Sequence, residues 1–400
     1  MAGNSNLGAA KKAKNDEFYT QWADIEREMN AYLEYNPDVF QGKTVLLPCD
    51  DPEWSNFTKF FALHFVEYGL KKLISTSYAP NSNAGGAFYA PTLFELDDLQ
   101  YDEDKSFDRG RMFVLEPTDI NGDDEVNIDD LKWTYLEGDG DFRSPEVTAL
   151  RDEADIVITN PPFSLFREFV AWLTEGNVEF SIIGNKNAIT YKEIFPLIRD
   201  KQLWMGRMPM GTDILFRVPK VVEAEFVATE KPGSRYRIID GEILARASGC
   251  WFTNIDHGRR HEPLSLMTMA DNLRFSKHKE IREQGYPTYD NFDAIDVGYT
   301  DAIPSDYAGL MGVPVTFLDK FNPDQFEIVG CADYTGLYGS DFLGIKPLGA
   351  EWLEKYHAGG GKGHYTANMT SLVYYDSVGN ARPTFKRILI RHLNPEHMKD

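Results

Sequence analysis

ADIVITNPPFSLFREFVAWL (154–173) changes character twice. Ile156, Val157 and Ile158 form an unbroken apolar run, the pattern of a strand buried on both faces. Asn160-Pro161-Pro162 then stops it, because consecutive prolines fix φ and remove backbone donors. Phe166, Phe169, Val170 and Leu173 follow at i, i+3, i+4 and i+7, the apolar stripe of a helix. A buried strand that runs through a stiff turn into a helix predicts a parallel sheet with helices on its faces.

The same rhythm extends outward. TVLLPCDD (44–51) is a short apolar run ending in Pro, Cys and two acids, a buried strand with a functional turn. Ser55 is placed as the N-cap of a helix through NFTKFFALHFVEYG, which Gly69 closes, and KKLISTSY (71–78) is the next strand. DIEREMNAYL (24–33) has helical spacing of Ile25, Met29 and Leu33. RMFVLEP (111–117) and VEFSIIGN (178–185) read as strands, and YKEIFPLIRDK (191–201) as a helix kinked at Pro196. Beyond about residue 205 the pattern breaks into strand-like pieces, DILFRVPK, FVATE and GCWFTNI. The expected fold class is therefore α/β, doubly wound. Residues 1–14 read as a disordered tail and 15–257 as a catalytic domain with an acidic insert at about 95–135. Residues 258–400 read as a second, mixed domain in which HAGGGKGH (357–364) is a flexible loop.

Composition limits the function classes. No apolar run approaches the roughly 18 residues of a membrane span, and the N-terminus has no secretory core. Cys49, Cys250 and Cys331 are sparse and unpaired in spacing, which predicts reduced thiols and a cytoplasmic location. The net charge of −22 opposes nucleic-acid binding at first sight. It is uneven, however: −17 over residues 1–250 and −5 over 251–400.

Asn160-Pro161-Pro162-Phe163 carries the strongest chemical signal. Read blandly, it is only a turn. Read chemically, it suits a planar amino group. The lone pair of an adenine amino group is conjugated with the ring, so the group is a poor nucleophile. Two acceptors held around N6, the Asn160 side-chain oxygen and the Pro161 carbonyl, would draw that lone pair out of the ring. Phe163 would stack on the base once it leaves the duplex. This chemistry requires no metal ligand.

These residues resemble motif IV of the amino-group DNA methyltransferases. The wider pattern resembles the EcoRI-type adenine-specific DNA methyltransferases, in KNDEFYTQWADIEREM (14–29), GKTVLLPCDDPEWSNFTKFF (42–61), GDGDFRSPEVTALRDEADIVITNPPFSLFREFV (138–170), CWFTNIDHGRRHEPL (250–264) and YAGLMGVPVTFLDKFNPDQFEIVG (307–330). The resemblance covers nearly the whole chain. It implies a Rossmann-like methyltransferase sheet that uses S-adenosylmethionine, with a smaller C-terminal target-recognition domain. It further implies double-stranded DNA as partner, a flipped adenine methylated at N6, and a place in restriction–modification or phage DNA protection. A monomer is expected, since one strand is modified per event.

The resemblance also implies the cofactor residues. Phe18-Tyr19-Thr20 resembles the motif that covers the methionine end, although it also fits a hydrophobic staple. Pro48, Asp50 and Asp51 occupy the first strand-to-helix turn, where a carboxylate would meet the cofactor's amino group or merely cap the helix. The Gly-rich turn of the wider methyltransferase pattern is missing there. Ser75-Thr76-Ser77-Tyr78 has no acid for a ribose, so a hydroxyl or Asp51 would substitute. Asp141 and Phe142, in Asp139-Gly140-Asp141-Phe142, resemble the pair that contacts the cofactor's adenine; a Gly-Asp turn is the alternative.

Three other features stay open. Asp119, Asn121, Asp123 and Asp130 partly match a calcium loop with LKWTYL as its exit helix, but Asp124 stands where Gly is wanted. His257, Arg259 and Arg260, and later Arg382, Lys386, Arg387, Arg391 and His392, are basic groups suited to phosphate or base edges, or to solvent. Rival readings are methylation of RNA or of a protein amide, and a non-catalytic DNA-binding or DNA-mimicking protein.

Overall fold

A computed structural model describes residues 19–51, 55–79, 101–119, 122, 125–218, 220–332 and 334–395. The tail at 1–14, Phe18, Asn121, Asp123 and Asp124 lie outside the described residues. By their contacts the residues divide into two units, 1–186 with 205–257, and 187–204 with 258–400.

The first unit begins with strand β1 (Tyr19–Thr20) and helix α1 (Trp22–Tyr35). Then come β2 (Thr44–Leu47), α2 (Asn56–Leu63), β3 (Lys72–Ser77), α3 (Glu103–Ser106), β4 (Arg111–Leu115) and β5 (Lys132–Tyr135). Helix α4 (Pro145–Glu153) leads to β6 (Ile156–Thr159), and α5 (Phe166–Glu175) to β7 (Glu179–Asn185). Helix α6 (Phe195–Arg199) falls in the segment grouped with the second unit, and β8 (Trp204–Met205) returns the chain to the first. There follow β9 (Ile214–Arg217), α7 (Lys220–Thr229), β10 (Tyr236–Ile239), β11 (Glu242–Ala247) and β12 (Gly249–Thr253).

Among the described residues, the largest sheet has eight strands in the order β5-β4-β3-β2-β6-β7-β12-β8. Its centre, β3-β2-β6-β7, is parallel. Strands β4 and β5 on one side and β12 on the other are antiparallel, so the sheet is mixed. The central strands read as continuous apolar runs because helices cover them: all of β2 and β6 is buried. Chain order reverses between β2 and β6, so the turns after β2, β3 and β6 emerge on one sheet edge, beside the switch point. A second sheet, β1-β9-β11-β10, is antiparallel.

The helix stripe after the double proline forms as the spacing predicts. Phe166, Phe169, Val170 and Leu173 are buried on α5. Phe166 sits where a side chain on β7 would be; a Cβ at Gly184 would come within 2.2 Å of its ring. That gap lets the helix approach the strand and fixes the start of α5 directly after the proline turn.

Several expectations are corrected. Pro196 does not kink a helix from 191 to 201; it lies in the first turn of the short helix α6, where its missing N–H costs nothing. LKWTYL is the strand β5 rather than an exit helix, with Trp133 opposite Phe113 and Arg111 over its ring. FVATE belongs to helix α7 rather than a strand, and Phe226 stacks on Tyr236 at 6.0 Å between ring centres.

The second unit contains helices α8 (Met269–Phe275) and α9 (Lys279–Gln284) and a sheet β13-β14-β18-β15. Its strands are β13 (Ile295–Asp296), β14 (Met311–Pro314), β15 (Phe326–Cys331) and β18 (Arg387–His392). Helices α10 (Ser340–Leu343) and α11 (Gly349–Ala358) and the hairpin β16 (Val373–Tyr375)–β17 (Ala381–Pro383) lie between β15 and β18 in sequence. No helix among the described residues is long and apolar enough to cross a membrane.

Nothing in the sequence singles out Glu28. It is fully buried on α1 and its carboxyl accepts from the backbone N–H of Arg207 and Met208 and from the Tyr32 hydroxyl, which also bonds Ser181 on β7. Burial pushes its carboxyl above the usual range. Glu28→Ala strands the backbone N–H groups of Arg207 and Met208 and leaves the Tyr32 hydroxyl only Ser181; it is expected to cost about 3 kcal/mol in urea unfolding, whereas Tyr32→Phe should cost about 1 kcal/mol. A loss below about 1 kcal/mol for Glu28→Ala would show that the network does not hold α1 to the sheet.

Candidate active site

The turn after β2 is built around one buried carboxyl. Asp50 accepts from the Ser55 hydroxyl at 2.7 Å on one oxygen and from the Thr159 hydroxyl at 2.6 Å on the other. Its backbone N–H donates to Thr76 O on β3 at 2.7 Å, and its own carbonyl accepts from Thr58 and Ser75. Thr159 also donates to Pro48 O at 2.6 Å. Asp50 thereby joins β2, β3, β6 and the N-terminus of α2. Burial pushes its carboxyl up to about 7, against the hydrogen bonds from Thr159 and Ser55.

Cys49 supplies the bend that a glycine supplies in other such turns: its φ is +69°, in the left-handed region. Ser55 caps α2 as its sequence position predicts, accepting from Phe57 N–H, and its own N–H donates to Asp51 O. Asp51 is half-buried beside it.

Thr159 is the last residue of β6, so Asn160-Pro161-Pro162-Phe163 begins next to the Asp50 clamp. Pro161 is buried, and Asn160, Pro162 and Phe163 are half-buried. Phe163 packs on the core and meets Phe216 of β9 edge-on at 6.4 Å.

Residues 138–142 lie at the carboxyl end of β3. Ala79 N–H donates to Asp139 O, and a Cβ at Gly140 (φ +86°) would stand 2.3 Å from Ser77 O, so only glycine permits this approach. Asp141 forms a bidentate ion pair with Arg143, which holds its carboxyl below the usual range, and Arg143 also reaches Glu168. Phe142 points the other way: its ring is fully buried edge-on to Phe169 and Trp172.

Thr20 pairs with Phe216 in the second sheet, while Asn56 at the start of α2 donates to Thr20 O at 2.7 Å. Tyr19 pairs with Arg217. The fold thus brings the turns containing Thr20, Pro48, Asp50, Asp51, Asp141 and Asn160 to one edge of the first unit. The hydroxyls of Thr20 and Thr76 and the Gln21 side-chain nitrogen are buried without a hydrogen-bond partner among the described residues. Buried polar atoms seldom go unpaired.

The remaining sequence candidates lie elsewhere. His257 is buried and bonds Met205 O, and Arg260 stacks on Trp204 at 3.9 Å. Arg387 is buried against Asp296, and His392 is buried on Pro304 O. Arg391 pairs with Glu327 and Arg382 with Asp376. Asp130 is used in a capping box with Asn127, and no cluster of three or more metal-ligating residues occurs among the described residues.

Residues 6–393 match the family described as adenine-specific methyltransferase EcoRI. The chain belongs to this family. The Type II methyltransferase M.EcoRI of Escherichia coli is 40% identical over 329 residues, covering 82% of this chain and 89% of that protein. The Type II methyltransferase M.MpnI of Mycoplasma pneumoniae is 35% identical over 325 residues, covering 80% and 84%. M.MgeORF184P of Mycoplasma genitalium, also named a Type II methyltransferase, is 33% identical over 327 residues, covering 82% and 86%. No solved structure matches this chain.

The Asp50 environment makes a pH prediction. An acid that is ionised in the unfolded chain near its ordinary 3.8 but protonated to about 7 when folded favours the folded state below about pH 4. That contribution is lost as pH rises through about 7. Asp50→Asn does not titrate. The melting temperature of the unsubstituted protein, taken relative to Asp50→Asn, should fall between about pH 5 and pH 7.5. A flat difference across that range would reject the buried, raised carboxyl.

Proposed function

We propose that this chain transfers a methyl group from S-adenosylmethionine to N6 of an adenine flipped out of double-stranded DNA, as a modification methylase. The observation that carries this reading is the turn Asn160–Phe163 beside the Asp50 clamp, on the sheet edge where the buried hydroxyls of Thr20 and Thr76 also gather. The names of the three relatives, all Type II methyltransferases, support the restriction–modification setting. We read the eight-stranded sheet as a Rossmann-like methyltransferase sheet and the second unit as the target-recognition part.

The cofactor, when bound, supplies an electrophilic sulfonium methyl. The chain's own residues hold and orient. Thr20 and Thr76 present buried hydroxyls that suit a ligand rich in hydroxyl, amino and carboxylate groups. In this assignment Asp50 shapes the turn, because both of its oxygens already accept hydroxyls, and Asp51 is the carboxylate for a cationic amino group. Asp141 takes the exocyclic amino group of the cofactor's adenine, and Phe142 anchors the loop from within the core. Tyr19 and Pro48 are assigned to the border of the cofactor site. Asn160 Oδ1 and the Pro161 carbonyl accept the two hydrogens of N6, which directs its lone pair outward, and Phe163 offers a ring edge or face to the base. The prolines stiffen the backbone that carries the Pro161 carbonyl, which lowers the entropic cost of binding.

Incubation with labelled S-adenosylmethionine and unmethylated duplex DNA, with the nucleosides then resolved, should place label in N6-methyladenine. Label in RNA or protein only would reject the acceptor. Asn160→Ala is expected to keep cofactor affinity within several-fold and lose most turnover, since the side chain acts on the acceptor amine. Equal loss of both would reject that division of labour. Thr76→Val removes a stranded hydroxyl at constant shape. It should leave the unliganded melting temperature unchanged or higher while weakening the cofactor Kd about five- to tenfold, the value of one hydrogen bond. Unchanged cofactor affinity would remove Thr76 from the site.

A further inference from the structure

Phe385 is the most exposed of the large hydrophobic side chains among the described residues, at 89%, in a protein whose other aromatic rings mostly pack into clusters. Single exposed apolar residues are common and need no role. This one differs in how it is held. On its N-terminal side Thr384 is fixed twice to Leu372 O, through its N–H at 3.2 Å and its hydroxyl at 2.8 Å. On its C-terminal side Lys386 donates to the Thr190 hydroxyl at 2.7 Å, and Arg387 is locked into the buried pair with Asp296 at 2.7 Å. The ring therefore stands on a short connection between β17 and β18 whose two ends are both tied down. The anchors on both sides hold the ring out from the packed side chains.

The electrostatic setting is unusual for this molecule. Residues 355–392 contain six Lys and Arg and one acid, Asp376, within a chain of net charge −22; Lys355, Arg387 and Arg391 are paired with Glu351, Asp296 and Glu327 outside that stretch. Asp376 is occupied by Arg382 and by the turn at Asn380. Lys386 and Lys362 are exposed, and Lys386 bonds a neutral hydroxyl, so its charge is not cancelled. A rigid, exposed aromatic ring with the uncancelled charge of Lys386 next to it matches the chemistry of a nucleic-acid duplex, which offers phosphates outside and an apolar stack within.

We propose that Phe385 is a wedge that enters the base stack of the DNA duplex, with Lys386 on the adjacent phosphate. The proposal rests on the DNA methyltransferase reading above and names one of the residues with which the second unit grips its substrate. Inserted apolar side chains unstack a step and lower the cost of extruding a neighbouring base.

The full-length protein tests this with Phe385→Ala and Phe385→Trp, on a duplex carrying the site mapped by sequencing methylated DNA. Phe385→Ala should lower kcat/KM for DNA about tenfold and reduce the rise in 2-aminopurine emission when that base replaces the target adenine, with the cofactor-induced thermal shift unchanged. Phe385→Trp should retain most activity, and its added indole emission should be quenched on duplex binding. DNA readouts for Phe385→Ala within about twofold of the unsubstituted protein overturn the wedge while leaving the methyltransferase reading intact. A change confined to sedimentation would assign the ring to self-association and overturn it as well. Absence of methyl transfer to any duplex by the unsubstituted protein would remove the parent reading and the wedge with it.

Discussion

A single carboxyl group, that of Asp50, sets the geometry on which the candidate site depends. It stands where three parallel strands end, and it accepts one hydroxyl from the cap of α2 and one from the last residue of β6. Parallel strands carry no covalent link at their ends, since each crossover leaves by a different loop. Hydrogen bonds between the turns must therefore fix their relative positions. Here the turn after β2 and the proline turn after β6 share one acceptor, so displacement of either strains both.

The cost of this arrangement is a buried acid held by hydroxyls rather than by a cation, and the rise of its carboxyl to about 7 follows from that burial. Two hydroxyl donors moderate the penalty but do not remove it. The neighbouring features reduce other demands on the same edge. Cys49 takes the left-handed bend, Gly140 admits the 138–142 loop against β3, and Gly184 makes room for Phe166 directly behind the prolines. Rigidity at the proline turn comes from this packing as much as from the fixed φ of proline.

The acidic charge of the chain and its proposed polyanionic partner are reconciled by distribution. Many of the bases singled out in the C-terminal part of the sequence serve the fold, as Arg387 does with Asp296 and Arg391 with Glu327. Lys362 and Lys386 remain exposed and, among the described residues, in no ion pair. Counting bases thus overstates the surface available to phosphate, while net charge understates it.

The amino-acid sequence by itself determined the β2-α2-β3 unit, the Ser55 cap, the strand ending at Thr159 and the helix that follows the prolines, though α2 ends at Leu63 and continues to Gly69 only as turns. These are local: apolar period, cap chemistry and proline geometry act within a few residues. Family membership was also legible, since several long motifs keep their order along the chain. Tertiary structure alone decided the rest. Asp50 and Asp51 are adjacent and alike in sequence, yet only Asp50 is enclosed, because Thr159, 109 positions away, closes over it. Glu28 looks like a surface acid on a helix until Arg207 and Met208 bring their N–H groups to it. Phe142 faces the core because Phe169 and Trp172 present their edges to it, and LKWTYL becomes a strand because β4 offers an open edge. In each case the deciding partner is distant in the chain, and no local period or propensity encodes its arrival.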